Sequence, residues 1–194
     1  MQKNFKHESI KKLVLVGVLS AVSFVLFLFP KFPILPMFQW LDIDFSDVPA
    51  LFASVTISPI AGVAIVLIKN IIHLPFSSTS MVGEVSNFLI GASFVLATGI
   101  ASRLVSRKNN RNSSVIFAIV CGVVVQLIAA VLVNYFIMIP MYSAFVNFSE
   151  LGGKHYYIYA GVIPFNFIKD VFASAVFLMV YKLIYPKLHT IFTK

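Results

Sequence analysis

Residues 13–29 read LVLVGVLSAVSFVLFLF, a run from Leu13 to Phe29 with no charged residue and with Lys11 and Lys12 immediately before it. An α-helix rises about 1.5 Å per residue, so a stretch of this length approaches the roughly 30 Å of a bilayer's hydrocarbon core. The basic residues ahead of it (Lys3, Lys6, Lys11, Lys12) give it the flank of a membrane span held on the cytoplasmic side. A basic start followed by an apolar run also describes a signal peptide. Here Pro30-Lys31-Phe32-Pro33 follows without a small-x-small cleavage site, so a retained first span is expected.

The rest of the chain agrees with that stretch. Apolar residues make up 59% of the 194, charged residues 11%, and the mean hydropathy is +0.94. A soluble chain needs more charge than this to cover its surface. Little polar sequence remains for a separate soluble domain, so residues 1–194 are read as one membrane-embedded domain. The net charge of +8 does not point to nucleic acid, because the basic residues sit at the ends of apolar runs and form no stripe along one face.

Six helices are expected: about 11–29, 48–58, 60–74, 83–106, 113–139 and 161–185. Pro59 divides the second from the third at a tight turn, and both look short for a full span. Placing the N-terminus inside puts eleven of the fifteen basic residues in segment 1–12, the loop near 103–112 and the C-terminal end. Six of the seven acids then fall outside or in outer helix halves. The expected fold is an all-α integral membrane protein with six transmembrane helices and both termini cytoplasmic.

Two outer segments are unusual. Residues 30–47, PKFPILPMFQWLDIDFSD, are too apolar and aromatic for an ordinary solvated loop. They read as a cap over a pocket, with Phe38, Gln39, Trp40 and Leu41 combining flat apolar surface and an amide. Residues 140–160 carry Tyr142, Tyr156, Tyr157 and Tyr159 and read as an interfacial aromatic belt.

Polar groups at membrane depth are costly and mark pathways, sites or helix contacts. Glu84 and Asn87 share a face where the fourth helix opens, Asn134 lies near the outer end of the fifth, and Asn166 and Lys169 are three apart on the sixth. Singly, Glu84 reads as stabilising a helix N-terminus and Asn134 as bonding between helices, whereas Lys169, about two turns inside its helix, is less readily explained by pairing with Asp170 or snorkelling outward. Their convergence in one half of the membrane beneath an aromatic loop points instead to an outward-facing pocket. Gly17 and Ala21 form a small-xxx-small pair on the first helix, suited to close approach of another helix.

Catalytic signatures are missing from the sequence. Gly152-Gly153-Lys154-His155 lacks the spacing and hydroxyl of a phosphate loop, no G-x-S-x-G elbow occurs, and the four histidines show no ligand spacing. The single cysteine, Cys121, excludes a disulfide within the chain. An enzyme is not expected, and neither is a metal.

The stretches FQWLDIDFSDVP (38–49), GEVSNFL (83–89), NYF (134–136) and PFNFIKD (164–170), with GVLSA (17–21) in the first helix, carry a family resemblance. The chain resembles the substrate-binding (S) components of energy-coupling factor transporters, and among them the riboflavin-specific members. The resemblance implies high-affinity binding of a vitamin from outside, no ATPase in the chain itself, and docking on a transmembrane coupling protein driven by two ATPases. It implies that Gly17 and Ala21 form the docking face, where the family's A-x-x-x-A has its first alanine replaced by glycine. It implies riboflavin as cargo and no resident cofactor. Gln39, Asn134 and Asn166 have the donors and acceptors to meet the ring's pyrimidine edge, and Lys169 can donate to it. Phe38, Trp40 and Phe45 suit the ring face, Asp42 or Glu84 the ribityl hydroxyls, and Asn87 is a further expected binding residue. Other cargoes (thiamine, pantothenate) and an ion-coupled carrier using Lys169 and Asp170 remain open on the residues alone.

Overall fold

The computed structural model describes residues 2–38, 40–77, 81–105, 111–143 and 146–192, with side chains described except at 2–8, 111–112 and 186–192. Six helical rods run through it. They are α1 (Gln2–Leu28), α2 (Asp47–Thr56), α3 (Pro59–His73), α4 (Val82–Val105), α5 (residues 111–142) and α6 (residues 154–192). A two-stranded antiparallel hairpin, β1 (Phe32–Pro33) and β2 (Asp42–Ile43), lies between α1 and α2, pairing Phe32 with Ile43 and Pro33 with Asp42. The segment expected as an aromatic loop is therefore a folded cap tied to itself by backbone pairing.

Among the described residues, four helical stretches are long and apolar enough to cross a membrane: 9–28, 59–76, 82–105 and 113–142. In contrast, α2 has ten residues, about 15 Å of rise, and cannot cross a 30 Å core alone. Its first eight residues, Asp47 to Ser54, are buried. A short helix is tolerated at membrane depth when protein covers its ends, and α1, α3, α4 and α6 pack around this one. Of the two helices expected to be short, α3 gains length from a 3₁₀ turn, Leu74–Phe76, while α2 remains an internal stub.

The α2–α3 turn follows from its residues. Ser58 is extended and its hydroxyl accepts from the Ala61 N–H at 3.0 Å, with Pro59 opening α3, where its missing N–H costs nothing. Arg103 near the end of α4 donates to the Ile57 carbonyl at 2.9 Å and ties α4 to this turn. The core gathers on α2, where Leu51, Phe52 and Ala53 meet Ile65, Val66, Phe94, Val95 and Phe177. Gly122 of α5 lets that helix approach α4 so closely that a Cβ there would overlap the Thr98 hydroxyl and lie 3.0 Å from the Phe94 ring.

Neither α5 nor α6 is a uniform α-helix. Each contains a π-helical stretch, Asn134–Met138 in α5 and Tyr157–Val162 in α6. A proline follows each one, Pro140 and Pro164. A helical proline offers no N–H to the carbonyl four residues back and crowds it. Those carbonyls belong to Phe136 and Ala160, both inside the π stretches, so local widening accommodates them. Helix α6 also begins at Lys154 and α5 continues to Tyr142, which leaves residues 143–153 as the connection. Much of the expected 140–160 loop is helix. Tyr157 is buried while Tyr156 and Tyr159 are exposed, so only the latter two suit an interfacial belt.

Candidate functional site

A cavity of about 170 Å³ opens among α3, α4, α5, α6 and the hairpin. The order of elements places the hairpin, the Leu74–Phe76 turn and the start of α6 at one end of the bundle, and the cavity lies beneath them. Of the residues singled out from sequence, Trp40, Asp42, Glu84, Asn87, Asn134, Asn166 and Lys169 all line it. Phe45 does not, because its ring packs on the α2-centred core. Gln39 lies outside the described residues. Phe38 is buried edge-on to Tyr157, 5.2 Å between centroids, and supports the cavity wall without facing the space.

Buried polar groups at the cavity form a ring of paired charges. Lys169 Nζ donates to Asp44 Oδ2 at 2.9 Å. The other oxygen of Asp44 accepts from the backbone N–H of Ser46 at 2.8 Å and from the Ser46 hydroxyl. Lys69 Nζ donates to that hydroxyl oxygen and to Asp47 Oδ1 at 2.6 Å, and Asp47 Oδ2 lies 3.9 Å from Lys169. Two lysines and two aspartates therefore cancel. Lys69 is 0% exposed, which is sustainable only with such partners. Burial pushes the Asp44 carboxyl up, but the Lys169 and Lys69 ammoniums outweigh it and hold it at about 2. Lys169 does not pair with Asp170 and does not snorkel outward. Asp170 is 1% exposed, and its Oδ2 has no hydrogen-bond partner among the described residues.

One wall comes from α3 and α4. Glu84 Oε1 lies 2.8 Å from His73 Nδ1, and its Oε2 accepts from the Ser77 hydroxyl at 2.8 Å. The carboxylate is thus held by side chains as well as standing in the first turn of α4. Asn70 Nδ2 donates to Asn87 Oδ1 at 3.2 Å. The opposite wall uses the two π stretches. Asn134 donates to the Ala130 carbonyl at 2.8 Å and accepts from the Tyr157 hydroxyl at 3.3 Å. Tyr157 accepts in turn from the Trp40 indole at 3.4 Å. That chain links the cap, the α6 π stretch and the α5 π stretch. At the mouth, Lys31 pairs with Asp42 at 3.3 Å across the hairpin.

Sequence reading missed Lys69, His73, Gln126 and Tyr157, all cavity or ring residues. A signal existed for Lys69 and His73, which lie four apart and, with Asn70, are the polar side chains of a largely apolar helix. Among the described residues no group of His, Cys, Asp and Glu is arranged to hold a metal.

An apolar six-helix bundle with a polar cavity under a folded cap has the form of a membrane protein that holds a small solute. Comparison with known proteins makes the class specific. Residues 11–181 match the family model of the substrate-specific component of energy-coupling factor (ECF) transporters, and the chain belongs to this family. It is a family of transport components, not enzymes. The chain is 38% identical over 173 residues to the riboflavin transporter RibU of Staphylococcus aureus strain TCH60, covering 89% of each protein. It is 35% identical over 179 residues to the riboflavin transporter FmnP of Bacillus subtilis strain 168, covering 89% of this chain and 90% of that one. A solved structure described as the S component of a bacterial ECF transporter superposes with a TM-score of 0.78 at 36% identity, over 93% of this chain and 98% of that one. The protein is accordingly a multi-pass protein of the cell membrane.

Proposed function

We propose that this chain binds riboflavin at the outer face of the cell membrane and delivers it inward, as the substrate-specific component of an ECF importer with a transmembrane coupling protein and two ATPases. The carrying observation is the chemistry of the cavity. Amides and aromatic rings line it, while its buried lysines and aspartates neutralise one another. Such a site suits a flat, uncharged molecule bearing alternating donors and acceptors. The names of the relatives at 38% and 35% identity support the same cargo.

In this reading Asn134, Asn166 and Lys169 meet the pyrimidine edge of the isoalloxazine, and Trp40 covers the ring. Asp42, Glu84 and Asn87 take the ribityl hydroxyls, with Gln39 in the cap. Phe45 acts from behind, through the α2-centred core on which it packs. Both termini and the basic end face the cytoplasm, as the charge asymmetry supports. Gly17 and Ala21, both on the exposed face of α1, meet the coupling protein. The test is an absorbance spectrum of the detergent-purified protein followed by riboflavin titration with flavin fluorescence as readout. Saturable quenching at one flavin per chain is expected. Binding of thiamine or pantothenate in its place would overturn the reading. Uptake driven by an ion gradient without the ATPases would favour a carrier acting through Asp170.

A further inference from the structure

Gln126 does not stand out by its sequence context, yet it is 2% exposed and lines the cavity. It stands eight residues before Asn134 on α5, about 12 Å deeper along the helix, where the leading edge of a ligand arrives. Its amide orientation is dictated by neighbours. Asn166 Nδ2 donates to the Val162 carbonyl at 2.8 Å, and a carbonyl can only accept, so the Asn166 oxygen faces the other way. That oxygen meets Gln126 Nε2 at 3.1 Å, so Gln126 is fixed as the donor in this bond. Its own oxygen, Oε1, is then left as an acceptor, buried and without a hydrogen-bond partner among the described residues. Leaving such a carbonyl unpaired is unfavourable, so a ligand donor reaching it gains more than an exposed hydrogen bond would.

We infer that Gln126 is a specificity-determining residue whose amide oxygen accepts a ring N–H of the cargo, and that Asn166 acts on the ligand partly by holding Gln126 in this orientation. The inference rests on the riboflavin reading and deepens it. One turn beyond Asn166 on the same helix, Lys169 also lines the cavity and supplies a donor. An acceptor beside a donor matches an imide edge, in which an N–H is flanked by carbonyl oxygens. The deep end of the cavity therefore reads the pyrimidine edge through Gln126, Asn166 and Lys169, and Asn134, about 12 Å nearer the cap, is reassigned from that edge to the rest of the molecule.

The experiment compares riboflavin with its N3-methyl derivative, which lacks only that N–H, on the parent protein and on Gln126→Met. The parent is expected to bind riboflavin at least about ten-fold more tightly than the methylated compound, the size of one well-placed hydrogen bond. In Gln126→Met that preference should shrink toward unity, with the loss falling on riboflavin. A steric clash of the methyl group elsewhere would persist in the variant, so an undiminished preference overturns the inference. So does equal binding of the two compounds by the parent, a result that needs no variant to fold. A parent protein that binds neither compound would instead sink the riboflavin reading itself.

Discussion

At the scale of single residues, the site is built on pairing. Asn134 and Asn166 each spend one donor on the carbonyl four residues back, which fixes the amide plane before any ligand arrives. Replacing Asn134, Asn166 or Lys169 by alanine should therefore weaken flavin binding by about ten-fold or more each, read by fluorescence titration of folded protein. Three parent-like affinities would refute the assigned pocket. The charge ring makes a separate prediction about stability. Lys69→Met strands Asp47 and should cost about 3–5 kcal/mol, whereas Lys69→Met combined with Asp47→Leu should be milder, both checked by thermal unfolding in detergent. For Asp44 the sign is set by a folded value of about 2 below the ordinary 3.8. A lowered carboxyl contributes stability in full above 3.8 and loses it as pH falls toward 2. The Tm difference between the parent and Asp44→Asn should thus be constant at neutral pH and shrink through that acid window. The polar residues of α4, α5 and α6 were legible in the sequence because a polar group stands out in an apolar helix. Lys69 escaped because its meaning lies in Asp47, 22 residues away on another element, and spacing within one helix does not show such a partner.

Between residues and the whole stand the helices, whose departures from regularity shape the cavity. Hydrophobic runs and Pro59 gave the number and order of the helices, and most boundaries fell within a few residues. The π stretches were hidden, since Pro140 and Pro164 announce a disturbance but not whether the helix ends or widens. The start of α6 at Lys154 was hidden for a related reason, because its tyrosines suit an interface as well as a helix. Packing contacts make a cleaner prediction at this scale. Gly122→Val would drive methyl groups into Thr98 and Phe94 and should cost about 1–3 kcal/mol, seen as a lowered Tm. An unchanged Tm would mean that α4 and α5 separate freely.

For the molecule as a whole, the two ends differ in task. One carries the hairpin and cavity, and the other, in the proposed topology, faces the cytoplasm. On the side, a Cβ added at Gly17 would meet nothing within 4 Å, whereas one at Gly122 would collide with its neighbours. Gly17→Leu should accordingly leave the Tm and riboflavin affinity unchanged and abolish uptake in cells that hold the coupling module. Normal uptake would remove α1 from the docking face. The charge ring also bears on how the chain is made. Asp44 and Lys169 are 125 residues apart, so a growing chain commits its aspartates and Lys69 to the membrane long before α6 emerges. The stub α2 cannot cross by itself and must enter together with α3 as a hairpin. Until the last helix arrives, Asp44 lacks Lys169, and a ribosome that stops early leaves an unneutralised acid against the bilayer. Neutralisation of the ring is therefore complete only once α6 is in place beside the hairpin.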